Sequence, residues 1–396
     1  MVIIADFATF APSITITPIM KIIRRTLQAE IESRLRPNKA ILLYGTRRVG
    51  KTMLCKAVAS NYEGRVQMLN GEDMDVQVML SNRTIANYRQ LFSGLDLLII
   101  DEAQNIPEIG LAIKLIIDEI EGISVLATGS SSFDLHNRAG FPLVGRSSLL
   151  TLAPLSQQEI QQDESPFETR GNLEARLICG SYPEVVGLER HDERAEYLRD
   201  LVNAYLLKDI LSIDGLRNSA KMHKLLQLVA FQVGSEVSYE ELGQQLGLSR
   251  DTVEKYMTLL SQVFIIYRLG AFSRNLRKEV SKAGKWYFLD NGVRNALIGD
   301  FKPLNARNDA GVLWENYMIS EMLKKNYHGV GHASHYFWRT YDRQEIELIT
   351  ESDGTMKAYE FKWGKKTPRL PKAFSEAYPK ASFAVICPEN YLDFIK

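Results

Sequence analysis

Apolar residues fall into two rhythms along the first part of this chain. Ala40-Ile41-Leu42-Leu43-Tyr44, Val66-Gln67-Met68-Leu69-Asn70, Leu95-Asp96-Leu97-Leu98-Ile99-Ile100 and Ile123-Ser124-Val125-Leu126-Ala127-Thr128 are short and nearly unbroken, as buried strands are. Ser147 to Leu152 predicts a fifth strand. Between the runs the apolar spacing widens to that of a helix. Ile23, Leu27, Ile31 and Leu35 form a stripe that stops at Pro37, Met53 to Ala59 has one apolar face, and Ile109 to Ile120 predicts a further helix. Strands alternating with helices predict an α/β fold, a parallel sheet with helices on both faces. Ligands of such sheets bind at the carboxyl ends of the strands.

Beyond Pro154 the pattern turns helical as far as about Gly215, with an acidic start (Glu159, Asp163, Glu164), a break at Gly180-Ser181-Tyr182-Pro183 and a closing stretch from Tyr197 to Leu211. This predicts a helical lid. Lys221 to Val233 predicts a helix, and Ser238-Tyr239-Glu240-Glu241 is a capping box that opens another. After the turn Gly247-Leu248-Ser249, a third helix runs from Arg250 to Val263 with Val253, Tyr256, Met257 and Leu260 inward. Two strands follow, Phe264 to Ala271 and Trp286 to Leu289, and the set predicts a winged helix. The last stretch predicts a helix over 312–327 and strands over 335–339, 345–349 and 356–362. The expected division is an extension over 1–19, the sheet domain over 20–153, the lid over 154–215, the winged helix over 216–304 and a terminal α/β domain over 305–396.

Composition narrows the classes. With 396 residues, 45% hydrophobic and 24% charged, the chain is of ordinary globular type and long enough for several cores. Lys+Arg and Asp+Glu are both 48, so nucleic-acid affinity would have to come from local patches. Cys55, Cys179 and Cys387 lie at no metal-binding spacing, and three cannot all pair. A reducing cytoplasm is expected. No run of about 18 apolar residues spans a membrane. The apolar, Thr-rich stretch from Val2 to Ile19 lacks a basic start and is interrupted by Pro12 and Pro18, so it does not read as a signal peptide. Met20, followed by Lys21-Ile22-Ile23-Arg24-Arg25, is an alternative start, which would leave the first 19 residues without a role in the fold.

The chemistry gathers between strand and helix. Gly45-Thr46-Arg47-Arg48-Val49-Gly50-Lys51-Thr52 fits G-x-x-x-x-G-K-[ST], preceded by the first apolar run and followed by a helix. Gly45 allows a turn that a Cβ would obstruct, and Gly50 allows close approach of backbone to phosphate. Successive N–H groups then converge at the positive end of a helix. Lys51 is expected on the β- and γ-phosphates of a nucleoside triphosphate, and the Thr52 hydroxyl on Mg²⁺. The run ending at Ile100 leads into Asp101-Glu102-Ala103-Gln104, placing Asp101 to hold Mg²⁺ and Glu102 to polarise the attacking water. Thr128 and Ser130 end the neighbouring strand and are candidate γ-phosphate sensors. Arg138 and Arg146 are candidates for an arginine finger reaching a neighbouring copy's nucleotide, as against surface ion pairs.

Two further clusters carry possible chemistry. Arg274, Arg277, Lys278, Lys282 and Lys285, against the single acid Glu279, sit between the two strands of the expected wing and suit phosphate contact. The helix Arg250 to Val263 suits it less, because Asp251 and Glu254 offset Arg250 and Lys255. Winged helices also dock proteins, and both uses stay open. In Glu360-Phe361-Lys362, alternation places Glu360 and Lys362 on one face, with Glu347 at the adjacent strand's end. Two carboxylates and a lysine suit a metal-dependent phosphodiesterase, with Glu347 and Glu360 as a second metal site beside Lys362 and Glu315. A sheet edge of mixed charge is the plain alternative.

Over about residues 20 to 365 the chain resembles the AAA-type P-loop ATPases (AAA_14) that carry a C-terminal DUF4143 region. The resemblance rests on 45–52, Asp101-Glu102-Ala103-Gln104, Thr128-Gly129-Ser130-Ser131-Ser132, Gly145-Arg146, Gly180-Ser181-Tyr182-Pro183, Trp314-Glu315-Asn316, Tyr336-Phe337-Trp338-Arg339 and Glu360-Phe361-Lys362. It implies ATP as the nucleotide, an ATPase core, a winged helix and a terminal domain similar to the PD-(D/E)xK, restriction-endonuclease-like fold. One position departs: where such chains show Glu-x-Asp, this one has Glu345-Ile346-Glu347, which displaces a metal-binding carboxylate by a methylene. Three readings follow: an ATP-hydrolysing DNA-associated switch, with a homo-oligomer as a candidate assembly, an ATP-gated Mg²⁺-dependent nuclease, or a signalling ATPase that works through protein contacts.

Overall fold

The computed structural model describes residues 23–130, 143–206, 219–273, 284–328, 333–340, 344–364 and 368–395. Five strands, β1 (Lys39–Tyr44), β2 (Val66–Asn70), β3 (Leu97–Asp101), β4 (Ser124–Gly129) and β5 (Ser147–Thr151), form one sheet in the order β2-β3-β4-β1-β5. Every pairing in it is parallel. Alternation along each strand divides the core. Ile41 and Leu43 of β1, Leu97 and Ile99 of β3 and Leu126 of β4 face one side, with Leu54, Cys55 and Val58 of the helix Lys51–Asn61. Ala40, Leu42 and Tyr44, Leu98 and Ile100, and Val125 and Ala127 face the other, against Ile109, Ile113, Ile116 and Ile117 of the helix Ile109–Glu119. A sheet covered on both faces needs apolar residues at every position, which is why its strands read as unbroken runs.

The first of these cores does not end with the sheet domain. It continues through Leu177, Leu198, Leu226, Met257 and Phe288 to Trp314, Tyr317 and Tyr391. Short helices within 157–200 pack between the parallel sheet and the second half of the chain. Gly180 ends the helix Leu173–Cys179 at φ +72, where a Cβ would collide with the carboxylate of Asp290. That carboxylate instead accepts the Ser181 N–H at 2.7 Å and caps the helix Asn291–Ile298. One aspartate therefore joins two segments distant in sequence.

A second sheet has the order β11-β10-β9-β8-β6-β7. Its strands are β6 (Ile266–Ala271), β7 (Lys285–Phe288), β8 (Ser334–Arg339), β9 (Glu345–Ser352), β10 (Thr355–Phe361) and β11 (Ser382–Ile386). The helices Tyr239–Leu246 and Arg250–Gln262 and the antiparallel β6–β7 pair stand where a winged helix is expected. The pair is not a free wing, however. Gly270 and Ala271 of β6 pair in parallel with Tyr336 and Phe337 of β8, and the Phe272 N–H donates to the Phe337 carbonyl at 2.7 Å. The hairpin strands thus belong to the C-terminal sheet. That sheet is backed by the 18-residue helix Ala310–Tyr327, on which Trp314 is wholly buried among Tyr317, Trp363 and Tyr391.

Candidate functional site

At the end of β1 the chain turns through 45–50 into the helix Lys51–Asn61. A Cβ on Gly45 would run into the carbonyl of Leu152, whose own N–H donates to Tyr44 at 2.7 Å, so β5 closes over the turn only if residue 45 is glycine. Gly50 stands at φ +96 and Arg48 at φ +66. Both left-handed positions bend the loop, and glycine relieves the strain at only one of them. Lys51 is buried, and its ammonium donates to the carbonyls of Gly45 at 2.9 Å and Thr46 at 3.1 Å.

The second motif meets this loop. Thr52 Oγ1 donates to Asp101 Oδ2 at 2.6 Å across 49 positions of sequence. Thr128 Oγ1 donates to Asp101 Oδ1 at 2.5 Å and accepts the Glu102 N–H at 3.0 Å. Because β4 lies between β1 and β3, one hydroxyl can orient the aspartate and the backbone of the glutamate together. Glu102 is held at φ +48, a conformation that costs a non-glycine residue about 1–3 kcal/mol, and Gln104 Nε2 donates to its carboxylate at 2.6 Å.

Lys51, Thr52 and Glu102 line a cavity of about 540 Å³. Arg24, Arg25, Arg47, Arg48 and Lys51 line it against the acids Glu102 and Glu184, and Ile23, Met53, Leu155 and Pro183 supply apolar wall. Its size is that of a small-molecule site, and its excess of cations suits a polyanion. Thr46, Val49, Gly50 and Thr52 complete the loop.

Two residues reach the loop although sequence reasoning assigned them no part in it. Tyr182 Oη donates to Thr46 Oγ1 at 3.1 Å, so Gly180-Ser181-Tyr182-Pro183, a helix break and a landmark of the resemblance, touches the loop directly. Arg25, expected only as part of a chain start, is buried against Val49. The motif at 180–183 was a usable signal for the tyrosine. For Arg25 the sequence offered only an arginine beside an apolar stripe.

Ser130 follows β4 directly and is buried. Arg146 lies elsewhere. Its carbonyl accepts the N–H of Ala40, so it precedes β5 at the amino-terminal edge of the sheet, opposite the loop. Its guanidinium pairs with Asp118 at 2.8 Å. It therefore lies away from the 45–52 loop, because a parallel strand places the residues before it at the opposite end. Arg138, Ser131, Ser132 and the wing residues Arg274, Arg277, Lys278, Glu279 and Lys282 lie outside the described residues.

Lys285 is described, and it corrects the wing reading. Rather than standing on a basic surface it is buried, paired with Glu345, 3.9 Å from Glu315, and placed over the Phe337 ring. Its position on β7, beside the C-terminal sheet, turns it inward. The residues expected at a second metal site lie together. Lys362 Nζ bridges Glu347 at 2.6 Å and Glu360 at 2.7 Å, and the other Glu347 oxygen accepts the Phe361 N–H. Tyr287 Oη donates to Glu315 at 2.7 Å. Burial, and then the charge of Glu347, push Glu315 up to about 7 although Lys285 and Tyr287 oppose the shift. Burial and Glu347 raise Glu360 as well. Among the described residues no three His, Cys, Asp or Glu side chains are disposed to hold a metal ion. Glu347 and Glu360 share Lys362, and Glu315 lies between Tyr287 and Lys285.

Family models match three consecutive stretches: an AAA domain over 37–161, a domain of unknown function (DUF8612) over 170–304 and another (DUF4143) over 310–394. An uncharacterized protein of Mycobacterium tuberculosis is 24% identical over 362 residues, covering 90% of this chain and 78% of its own length. One of Methanocaldococcus jannaschii is 22% identical over 329 residues, with 76% and 70% covered. Among solved structures, a Walker-type ATPase of Pyrococcus abyssi overlays with a TM-score of 0.47 at 15% identity, covering 70% of this chain and 96% of that one. The Holliday junction branch migration motor of Thermotoga maritima overlays with a TM-score of 0.31 at 18% identity, covering 62% and 90%. Among the described residues no helix is long and apolar enough to cross a membrane.

Proposed function

Since this chain belongs to the AAA-type P-loop ATPases that carry a DUF4143 region, we propose that it binds and hydrolyses ATP as a nucleotide-dependent switch. The observation that carries the reading is the meeting of Thr52 with Asp101 at 2.6 Å, with Glu102 next in sequence and facing the same cavity. A hydroxyl and a carboxylate are the hard oxygen donors that suit Mg²⁺, and Thr52 and Asp101 would hold it. Bound with ATP, the ion supplies charge neutralisation on the phosphates. Lys51, held on two loop carbonyls, has its ammonium placed to move onto phosphate oxygens. Glu102 orients a water and accepts its proton, and Gln104 and Thr128 keep its carboxylate and its N–H in place.

Lys51→Ala is expected to abolish ATP binding. Glu102→Gln should retain ATP and lose turnover. Normal turnover in Glu102→Gln would remove glutamate from the role of base.

DNA is the partner class we propose for the switch, supported by the basic residues Arg274, Arg277, Lys278 and Lys282 between β6 and β7. Arg250, at the start of the third helix, is engaged with Glu240 at 2.8 Å and adds little to that surface. Duplex binding that weakens with salt and disappears when these four residues become alanine supports DNA. Its absence in the unaltered chain favours a switch working through protein contacts. A nuclease role is the second reading, supported by Glu347 and Glu360 around Lys362, and plasmid nicking with Mg²⁺ or Mn²⁺ that is lost in Lys362→Ala would establish it. Any part for Arg146 in nucleotide chemistry requires a neighbouring copy.

A further inference from the structure

The phosphate loop is pinned from outside by a side chain that the motif does not contain. Arg25 precedes the first helix and is only 7% exposed. Its guanidinium donates in three directions: Nη1 to the carbonyl of Val49 at 2.7 Å, Nη2 to the carbonyl of Ala153 at 2.7 Å and Nε to Glu159 at 3.0 Å. The bond to Val49 matters most. A peptide group is planar and trans, so its C=O and the next residue's N–H point in opposite directions. Holding the Val49 carbonyl against Arg25 turns the Gly50 N–H away from Arg25. The need for a pin is local: Arg48 and Gly50, on either side of Val49, both have left-handed φ, and glycine's freedom makes this peptide easy to rotate.

Arg25 also has a fixed backing. Glu159 is fully buried, accepts the N–H of Thr26 and of Ser156, each at 2.9 Å, and lies 3.6 Å from His328 Nε2. Burial alone would raise its pKa, but Arg25 and His328 outweigh that and keep it below the usual carboxylate range. His328 closes the helix Ala310–Tyr327, and two residues of that helix's last turns hold the same strap. Lys324 Nζ donates to the Leu155 carbonyl at 3.0 Å, and Glu321 accepts the Gln157 N–H at 2.7 Å. This helix, about 27 Å long from its 18 residues, carries Glu315 toward its other end, beside Tyr287 and Lys285.

We propose that Arg25 is a positioning residue for phosphate binding, which sets the direction of the Gly50 N–H and, through Glu159, ties the loop to the end of the helix Ala310–Tyr327. The proposal rests on the nucleotide reading above. An N–H that meets phosphate throughout the reaction contributes to ground state and transition state alike, so losing its orientation raises KM and leaves kcat nearly unchanged.

The test uses the full chain with Arg25→Ala, Arg25→Lys and Glu159→Gln, measured by titration with a fluorescent ATP analogue, ATP turnover, thermal melting and amide hydrogen exchange. Arg25→Ala should raise Kd and KM roughly tenfold or more, the scale of a lost charged hydrogen bond, with kcat within about threefold. Lysine offers one ammonium for three acceptors and should recover only part of this, while keeping the protein folded if alanine does not. ATP analogue should slow exchange over 317–328 in the unaltered chain, and Glu159→Gln should weaken that slowing. A purely structural role would lower the melting temperature and leave KM unchanged. Unchanged KM in folded Arg25→Ala, or in Arg25→Lys, overturns the positioning role, and exchange over 317–328 that ignores nucleotide overturns the tie. If the unaltered chain fails to bind the analogue, the nucleotide reading itself falls.

Discussion

Replacing Thr128 by valine removes one oxygen that serves two partners and preserves the shape of the side chain. The hydroxyl is wholly buried, donates to Asp101 at 2.5 Å and accepts the Glu102 N–H at 3.0 Å. A hydrogen bond to a charged acceptor is worth roughly 1.5–3 kcal/mol and a neutral one about 1 kcal/mol. Valine suits a buried strand better than threonine and returns up to about 1 kcal/mol. A net loss of roughly 2–3 kcal/mol is expected. Turnover should fall further, because the left-handed backbone at Glu102 loses the bond that over-determines it. Thr128→Ser keeps the oxygen and serves as the control. Urea unfolding of both variants and ATP turnover at saturating nucleotide make the comparison. If valine matches serine in both measurements, the shared hydroxyl does not organise Asp101 and Glu102, and the site is set by the strands alone.

Three other outcomes are expected. Gly180→Ala should be strongly destabilising, since the position combines φ +72 with contact against the Asp290 carboxylate, and calorimetry should show melting several degrees lower. Lys285→Ala should cost about 1–3 kcal/mol in urea unfolding by leaving the partly buried Glu315 and Glu345 without their cation, and should leave the salt slope of any duplex binding unchanged. His335 is buried, and burial lowers it to about 4. Between about pH 6.5 and 4 the unfolded chain therefore binds more protons than the folded one, and stability falls as pH falls. His335→Leu should flatten that part of the stability–pH curve.

The parts of the fold legible in sequence are those in which neighbours in the chain carry the information. Unbroken runs such as Leu97–Ile100 announce a strand buried on both faces, and the glycines and lysine of 45–52 announce a phosphate loop. Parallel geometry could also have placed Arg146, since residues preceding β5 must lie at the edge away from the loop. The remaining features depend on distant pairings. Nothing near Gly270 signals that it will pair with Tyr336, and nothing near Lys285 signals Glu345. A basic residue between two strands reads the same way whether it turns out to solvent or in to a carboxylate. Arg25 and Tyr182 gain their meaning only when Val49 and Thr46 arrive beside them.

The strand β6 is shared property. It pairs with β7 from its own hairpin and with β8 from beyond residue 333, and the apolar core beside it runs unbroken from the parallel sheet to Tyr391. Ending the chain near residue 305 would therefore not release a smaller self-contained unit. It would leave the backbone of Gly270 and Ala271 as an open strand edge beside uncovered Trp286, Tyr287 and Phe288, the kind of surface that recruits other chains. A cut along that seam divides a single apolar core, so neither half is left with a closed surface.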